Sequence, residues 1–538
     1  MTSAAPHVRI VSRHPWRSVD IGASRLHFAG DAGRARTLAG ELIAARTDED
    51  IAAALLRAPF LFALILESAD GVLAAADRVR STPVFHARDA SGAPVVGNDA
   101  RAIVEEIPLP DPDGEALLEI EMAGFVTGDA TVYRNLRQVP PGAFVRFPAS
   151  GAPPILNRYF RYLPGNVPTA GDPVSRLGTV LNTIFSELVA RLDGRQVLVP
   201  ISGGLDSRLV LAMLKAHGCR ALSSFSYGMP GNTDATAGRA VAERLDVPWR
   251  FVASRPAAHR AFFRGPAARE FWRFADGLSC VPSPQDIVPL VEMAADGTIG
   301  PDTVIVNGQT GDFLSGGHIP RALDVPLVSR DVLRGAILDK HYALWRSLLT
   351  PANKARMGTR IESAIGLPIM EAMPRAEAIA RYELWEFEGR QARWVVNAQR
   401  TYEFLGVGWE LPLWHPALVE FFRNLPIADK IGQRCYRAFL HQWNHAGLFA
   451  NFTRARSSWP RSRRAFALLE RAALLLGGKT FQARANGVLR YFGHYAHQNY
   501  ELDFLRFLAV RDDMRHIGAH HASEWLIENG FGSARSCA

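Results

Sequence analysis

Two turns in this chain of 538 residues combine small residues with acids in a way that suits phosphate chemistry. The first is Ser202-Gly203-Gly204-Leu205-Asp206-Ser207. Gly203 and Gly204 have no Cβ, so the backbone can bend sharply and bring amide hydrogens against phosphate oxygens, while the helix that follows presents its positive end. Ser202 and Ser207 add hydroxyl donors, and Asp206 adds a hard oxygen ligand suited to Mg²⁺. The second turn, Gly308-Gln309-Thr310-Gly311-Asp312, runs on through Phe-Leu-Ser-Gly-Gly to His318. Taken alone, Asp312 reads as a helix cap. Paired with Asp206 it reads as a second metal carboxylate, because two acids at separate strand ends hold Mg²⁺ against a pyrophosphate better than either alone.

Such turns need elements that aim them. Val197, Leu198, Val199 and Ile201 form an apolar run without alternation, as expected of a parallel strand covered on both faces, and Leu209-Val-Leu-Ala-Met-Leu214 reads as the helix after the turn. Strand-like and helix-like segments then alternate, with strands at 219–227, 248–253 and 303–307 and a helix at 234–245. The alternation predicts an open parallel sheet with helices on both sides. Ligands of such sheets sit beyond the carboxyl ends of the strands, so both turns can face one crevice.

No lysine stands in the first turn and the Walker pattern is absent. The turn resembles instead the SGGxDS signature of the N-type ATP pyrophosphatases. With the Asp312 turn, it resembles the asparagine synthetase family, whose synthetase domain carries SGGLDS and a later GSDE-type turn. Asp77-Arg-Val-Arg-Ser-Thr-Pro-Val-Phe85, Val126-Thr-Gly-Asp-Ala-Thr-Val-Tyr133 and Pro140-Pro-Gly-Ala143 are similar to parts of that family's N-terminal domain. Arg400-Thr-Tyr-Glu-Phe-Leu-Gly406 and Leu411-Pro-Leu-Trp-His415 stand where its late synthetase motifs do.

The resemblance implies an α/β fold class. Residues 174–538 would form a doubly wound parallel sheet of the N-type ATP pyrophosphatase, adenine nucleotide α-hydrolase-like kind. Residues 1–163 would form a glutaminase-like, Ntn-hydrolase-like α+β domain. The resemblance also implies ATP and Mg²⁺ as cofactors, with Ile201, Tyr227, Asn307 and Gly308 contacting the nucleotide beside Ser202, Gly203, Gly204 and Ser207. The implied chemistry is two displacements. A substrate carboxylate attacks the α-phosphate, giving an acyl-adenylate and pyrophosphate, and an amine then attacks the activated carbonyl.

Two departures bear on the substrates. Glutamine-dependent members expose a cysteine nucleophile after their start methionine, whereas this chain reads Met1-Thr2-Ser3 and none of Cys219, Cys280, Cys435 and Cys537 lies in the first 200 residues. The expectation is therefore an inactive glutaminase-like domain, with nitrogen from ammonia, a partner glutaminase or an amine on the substrate. Arg78, Arg80 and Asn98 read either as remnants of a glutamine pocket or as solvated surface. Gly408 stands where the family has a glutamate that helps deprotonate the amine, and Glu410 lies two residues on, on the same face of a strand, as its candidate replacement.

Tyr227-Gly-Met-Pro-Gly-Asn232, Pro284-Gln-Asp286, Gly311-Asp-Phe-Leu-Ser-Gly-Gly-His-Ile-Pro320, Lys340-His-Tyr-Ala-Leu-Trp345 and Leu411-Pro-Leu-Trp414 are similar to asparagine-synthase-like proteins of bacterial surface-polysaccharide pathways. That similarity favours a sugar uronate as acceptor, with aspartate beside it. A lasso-peptide cyclase acting on a peptide carboxylate is the rival, and a catalytically silent scaffold the alternative of another class.

An apolar share of 48% and a charged share of 21% are ordinary for a globular protein, and the length suggests two to four domains. Four cysteines without paired spacing argue against a disulfide framework or zinc. No secretory signal or membrane-length apolar run is read, which points to the cytoplasm. The net charge of +8 comes without a nucleic-acid-binding module, so no nucleic-acid partner is expected. Arg454, Arg456, Arg461, Arg463 and Arg464 precede an apolar segment at 465–476. It reads as a core helix with a solvated flank, or as a peripheral contact with an anionic membrane or phosphorylated acceptor. His520-His521 reads as a surface turn and the aromatic stretch 385–402 as helix packing. Gly151-Ala-Pro-Pro154 and 164–173 read as linker.

Overall fold

The apolar run ahead of Asp206 becomes the central strand, Gln196–Pro200, of a five-stranded sheet in a computed structural model that describes residues 5–165, 171–192, 194–367, 371–450, 463–489, 491 and 501–533. All its strands are parallel, in the order Trp249–Ala253, Leu222–Gly228, Gln196–Pro200, Thr303–Val306, Gly408–Glu410. Val197 and Val199 pack with Leu209 and Leu211 on one face, while Leu198 packs with Phe225, Leu290 and Ile305 on the other. Covering on both faces explains why no polar residue alternates along the run. The chain winds outward from the central strand, then returns to lay Thr303–Val306 on its other side. This reversal of winding opens a crevice at the carboxyl ends.

The N-terminal part is built in four layers. Ile155–Arg158, Ala143–Pro148, Gly71–Ala76, Ala63–Ser68, Ser24–Ala29 and Arg17–Ile21 form a six-stranded antiparallel sheet in that order. Leu64, Leu66 and Leu73 face the helices Ala32–Ala44 and Asp48–Arg57, and the alternate residues Ala63, Ile65, Val72 and Ala74 face a four-stranded sheet that includes Phe85–Arg88 and Pro94–Gly97. The outer side of the smaller sheet meets Ala100–Val104 and Gly114–Ala123 through Phe85, Val95, Ile103 and Leu118. A period of two thus sorts side chains between two apolar layers.

Several expectations are corrected. Residues 151–154 are not a linker: they turn the hairpin between Ala143–Pro148 and Ile155–Arg158, with Gly151 at φ +75° and its N–H donating to Pro148 O at 3.0 Å. Of the stretch 164–173, residues 166–170 lie outside the described residues, and Pro173 already opens the helix Pro173–Arg191 with Asp172 as its cap. Arg80 and Asn98 are buried rather than solvated. Asn98 exchanges hydrogen bonds with the backbone of Val11, and Arg78 donates to Leu56 O and Pro416 O.

His521 is buried in the helix Gly518–Glu528, bonded to Glu501, so residues 520 and 521 form no surface turn. The helix Arg463–Leu489 is no core helix, since Leu468 is 65% and Leu475 86% exposed. Arg454, Arg456, Arg461 and the side chains of Arg463 and Arg464 lie outside the described residues. No described helix is long and apolar enough to cross a membrane.

A buried ion pair ties the helix Ile427–Lys430 to the helix Arg375–Glu386. Lys430 Nζ reaches Glu383 at 2.7 Å and Tyr162 OH at 3.0 Å, wholly enclosed. The Lys430 carbonyl lies so close to Gly316 that a Cβ there would fall 2.4 Å from it. The turn that carries Asp312 is therefore seated on this pair.

Candidate active site

The two glycine-rich turns touch each other through their backbones. A Cβ on Gly308 would fall 2.8 Å from Ser207 Cα, and one on Gly311 would fall 2.6 Å from Asp206 Cγ. With no Cβ in the way, the Asp206 carboxylate lies against the second turn, where Oδ2 accepts from the N–H of Asp312 at 2.8 Å and Oδ1 from Tyr436 OH at 2.8 Å. Thr310 holds φ +87°, a costly conformation for a β-branched residue, with its hydroxyl donating to Gln391 Oε1 at 2.7 Å. Strain at this point lets the chain turn at once from the strand into the short helix Gly311–Leu314 that presents Asp312.

Both acids open on one cavity of about 620 Å³ at the carboxyl ends of the strands. Ile201, Ser202, Gly204, Ser207, Tyr227, Asn307 and Gly308 line it with Asp206 and Asp312. Gly203 sits just behind, its N–H donating to Asp234 Oδ1 at 3.3 Å. Within the loop, Ser202 N–H donates to Ser207 Oγ and Gly204 N–H to Ser202 Oγ, each at 3.2 Å, so the loop fixes its own shape.

The electrostatics of the two acids differ. Burial, with the charge of Asp312 beside it, pushes the Asp206 carboxyl up to about 7. Burial also works against the Asp312 charge, but His318, whose Nε2 lies 3.1 Å from Oδ2, outweighs it and holds that carboxyl below its usual value. His318 in turn stays protonated: burial opposes its charge, yet Asp312 and Glu386 raise it to about 9. Glu386 is buried and also meets Lys340 Nζ at 3.0 Å. Among the described residues no three or more His, Cys, Asp or Glu side chains gather as a metal cage. Two hard carboxylates on one crevice fit Mg²⁺, an ion that draws its remaining ligands from water and substrate phosphates.

Glu410 is not brought to this cavity. Gly408 and Glu410 do share a face of their strand, but that face looks into a second cavity, where both Oε atoms of Glu410 lie 3.3 Å from Arg191 Nη2. Only its backbone touches the site, accepting from Asn307 N–H at 3.0 Å.

In its place the structure brings in side chains to which no role is given from the sequence. Asp286 lines the cavity, and burial pushes its carboxyl up to about 6. Its Oδ2 accepts from Tyr402 OH at 3.0 Å, and Tyr402 accepts from Asn307 Nδ2 at 2.6 Å. Asp234, Trp394, Gln433 and Arg437 also line the cavity. Trp394 lies in the aromatic stretch that reads from sequence as packing.

The close approach at Gly311 is directly testable. Gly311→Ala places a methyl in the space of the Asp206 carboxylate, and activity that needs both acids should fall about a hundredfold or more, the scale of losing one preorganised charged group. Gly297→Ala, at a left-handed turn with open space, should leave activity unchanged. Steady-state turnover of both variants, with circular dichroism to confirm folding, checks the contrast.

Residues 185–445, just under half of the chain, match the family model described as asparagine synthase. No curated protein sequence matches the chain. Similar solved structures include an NH3-dependent NAD synthetase from Campylobacter jejuni subsp. jejuni, 11% identical, covering 40% of this chain and 95% of that one at a TM-score of 0.22. A glutamine phosphoribosylpyrophosphate amidotransferase from B. subtilis is 11% identical, covering 44% and 72% at 0.19. An allosteric regulatory enzyme of purine biosynthesis is 12% identical, covering 54% and 55% at 0.18. At these scores the structural likenesses carry no argument. The family match supports placing residues 185–445, which hold both glycine-rich turns, with the asparagine synthases.

Proposed function

We propose that the chain is an ATP-dependent carbon–nitrogen ligase that adenylates a substrate carboxylate, releases pyrophosphate and passes the acyl group to an amine. The junction of Asp206 and Asp312 at the mouths of two adjacent strands carries this reading, and the asparagine synthase match over 185–445 supports it at family level. Ser202, Gly203, Gly204 and Ser207 bind the β- and γ-phosphates, with Ile201, Tyr227, Asn307 and Gly308 against the nucleoside. Mg²⁺ held by Asp206 and Asp312 would neutralise charge as pyrophosphate departs. Arg437, on the wall of the cavity, is the cation we assign to the same leaving group. The bond from the α-phosphorus to its bridging oxygen breaks as the acceptor oxygen bonds to phosphorus. An amine then bonds to the acyl carbon, AMP leaves, and the amine gives up a proton.

Asp286 is our candidate for that proton. Its carboxyl, raised to about 6, is placed on the cavity by Tyr402, and a base works best with a pKa near the working pH. Our preferred acceptor is a sugar uronate, then aspartate, with ammonia or another amine as the donor. The N-terminal domain is read as glutaminase-like without its nucleophile.

Incubation with ATP, Mg²⁺, ammonium and uronates, aspartate or a peptide should yield AMP and pyrophosphate only when an acceptor is present. Formation of ADP and phosphate would contradict adenylation, and an isopeptide product would assign the peptide-cyclising reading. Asp286→Asn should leave acceptor-dependent exchange between ATP and pyrophosphate nearly intact and slow amide formation about a hundredfold. In the wild type the amide-forming step should rise as pH climbs through about 6, where the carboxylate ionises, and the variant should lose that limb. Equal loss of both half-reactions would make Asp286 a nucleotide contact instead.

A further inference from the structure

A side chamber of about 80 Å³ lies next to the nucleotide cavity, and Trp394 lines both. The loop at 281–286 forms the partition: Val281, Pro282 and Pro284 face the chamber, while Ser283, Gln285 and Asp286 face the larger cavity. The chamber shares no wall residue with the Ser202 to Ser207 loop, nor with Arg437. It therefore adjoins the side where Asp286 sits, away from the departing pyrophosphate.

Its charge is one-sided. Lys340, Arg390 and Arg515 line it, and no aspartate or glutamate does among the described residues. Lys340 is balanced from behind by Glu386 at 3.0 Å, and Arg515 Nη1 donates to the carbonyls of Asp339 and Lys340 at 3.1 and 2.7 Å. Arg390 is different. It is half-buried and stacks over the Trp394 ring at 5.1 Å, with no hydrogen-bond or ion-pair partner among the described residues. Burial holds His341 down to about 4, so that wall residue stays neutral. A guanidinium partly out of water with no acid opposite it favours binding of an anion, most of all one that can accept two of its N–H bonds. The volume is roughly that of two or three waters, enough for one phosphate or carboxylate group and too small for a second substrate.

We propose that this chamber is an acceptor subsite. The substrate carries, besides the carboxylate that is adenylated, a second anionic group that binds Arg390 across Trp394. The subsite presupposes the ligase reading and narrows its acceptor to a phosphorylated or dicarboxylic acid, in place of a neutral sugar with a single carboxylate.

Calorimetric titrations of the full chain with Mg²⁺ and a non-hydrolysable ATP analogue test this, using glucuronic acid, glucuronic acid 1-phosphate and glucaric acid as probes. At least one of the two probes that carry a second anionic group should bind roughly tenfold or more tightly than glucuronic acid, the scale of one charged hydrogen-bonded contact. The probe preferred tells phosphate from carboxylate. Arg390→Gln should abolish the preference without changing affinity for the ATP analogue, and Arg390→Lys should keep part of it. Equal binding of all three, binding of none, or a preference that survives Arg390→Gln overturns the subsite. A preference for a second anionic group without acceptor-dependent pyrophosphate release would keep an anion site at Arg390 and count against the ligase.

Discussion

The backbone N–H of Asp312 donating to the Asp206 carboxylate is the contact on which the site depends. It joins two turns that belong to strands separated by more than a hundred residues of chain. Glycine at 308 and 311 is what permits it, since a Cβ at either place would meet the first turn at less than 3 Å. One hydrogen bond of this kind to a charged group contributes about 1.5–3 kcal/mol. Its larger consequence is geometric, because it sets two like charges side by side at the mouth of the sheet.

Holding those charges together requires the shell behind them. His318 bridges Asp312 to the buried Glu386, and Lys340, His341 and Gln391 converge on the same carboxylate. Gln391 belongs to the π-helical turn Phe387–Val395, which also aims Arg390 at the side chamber and Trp394 at both cavities. One irregular turn thus supports the acids from behind and shapes the wall opposite them. The pair of Lys430 and Glu383 lies beneath the turn that carries Asp312, where the Lys430 carbonyl meets Gly316.

Much of this was legible in the sequence, for physical reasons. A strand covered on both faces leaves an unbroken apolar run, and a turn that approaches phosphate needs glycine, so Val197 through Ser207 and Asn307 through Asp312 announce themselves locally. Asp286, Tyr402 and Arg437 do not. Asp286 and Tyr402 stand in segments that resemble the family, yet nothing in those segments gives either a chemical role, and each gains one only when folding carries it to the crevice. Strand parity correctly pairs Glu410 with Gly408, yet parity says only that two residues share a face. The shared face looks toward Arg191, away from Asp206. Proline and glycine at 151–154 mark a turn equally well inside a hairpin or between domains, and only the pairing of the flanking strands tells the two apart. The apolar helix Arg463–Leu489 shows the limit of composition, since leucines there lie exposed.

The most direct test of the shared-metal account is a double-mutant cycle on pyrophosphate release with Asp206→Asn, Asp312→Asn and the pair together. If both acids clamp one ion, either single variant should lose nearly all Mg²⁺-dependent release and the double variant should be scarcely worse, as for residues that act as a unit. Losses that simply add, or release that persists when Asp206 is neutral, would contradict the account.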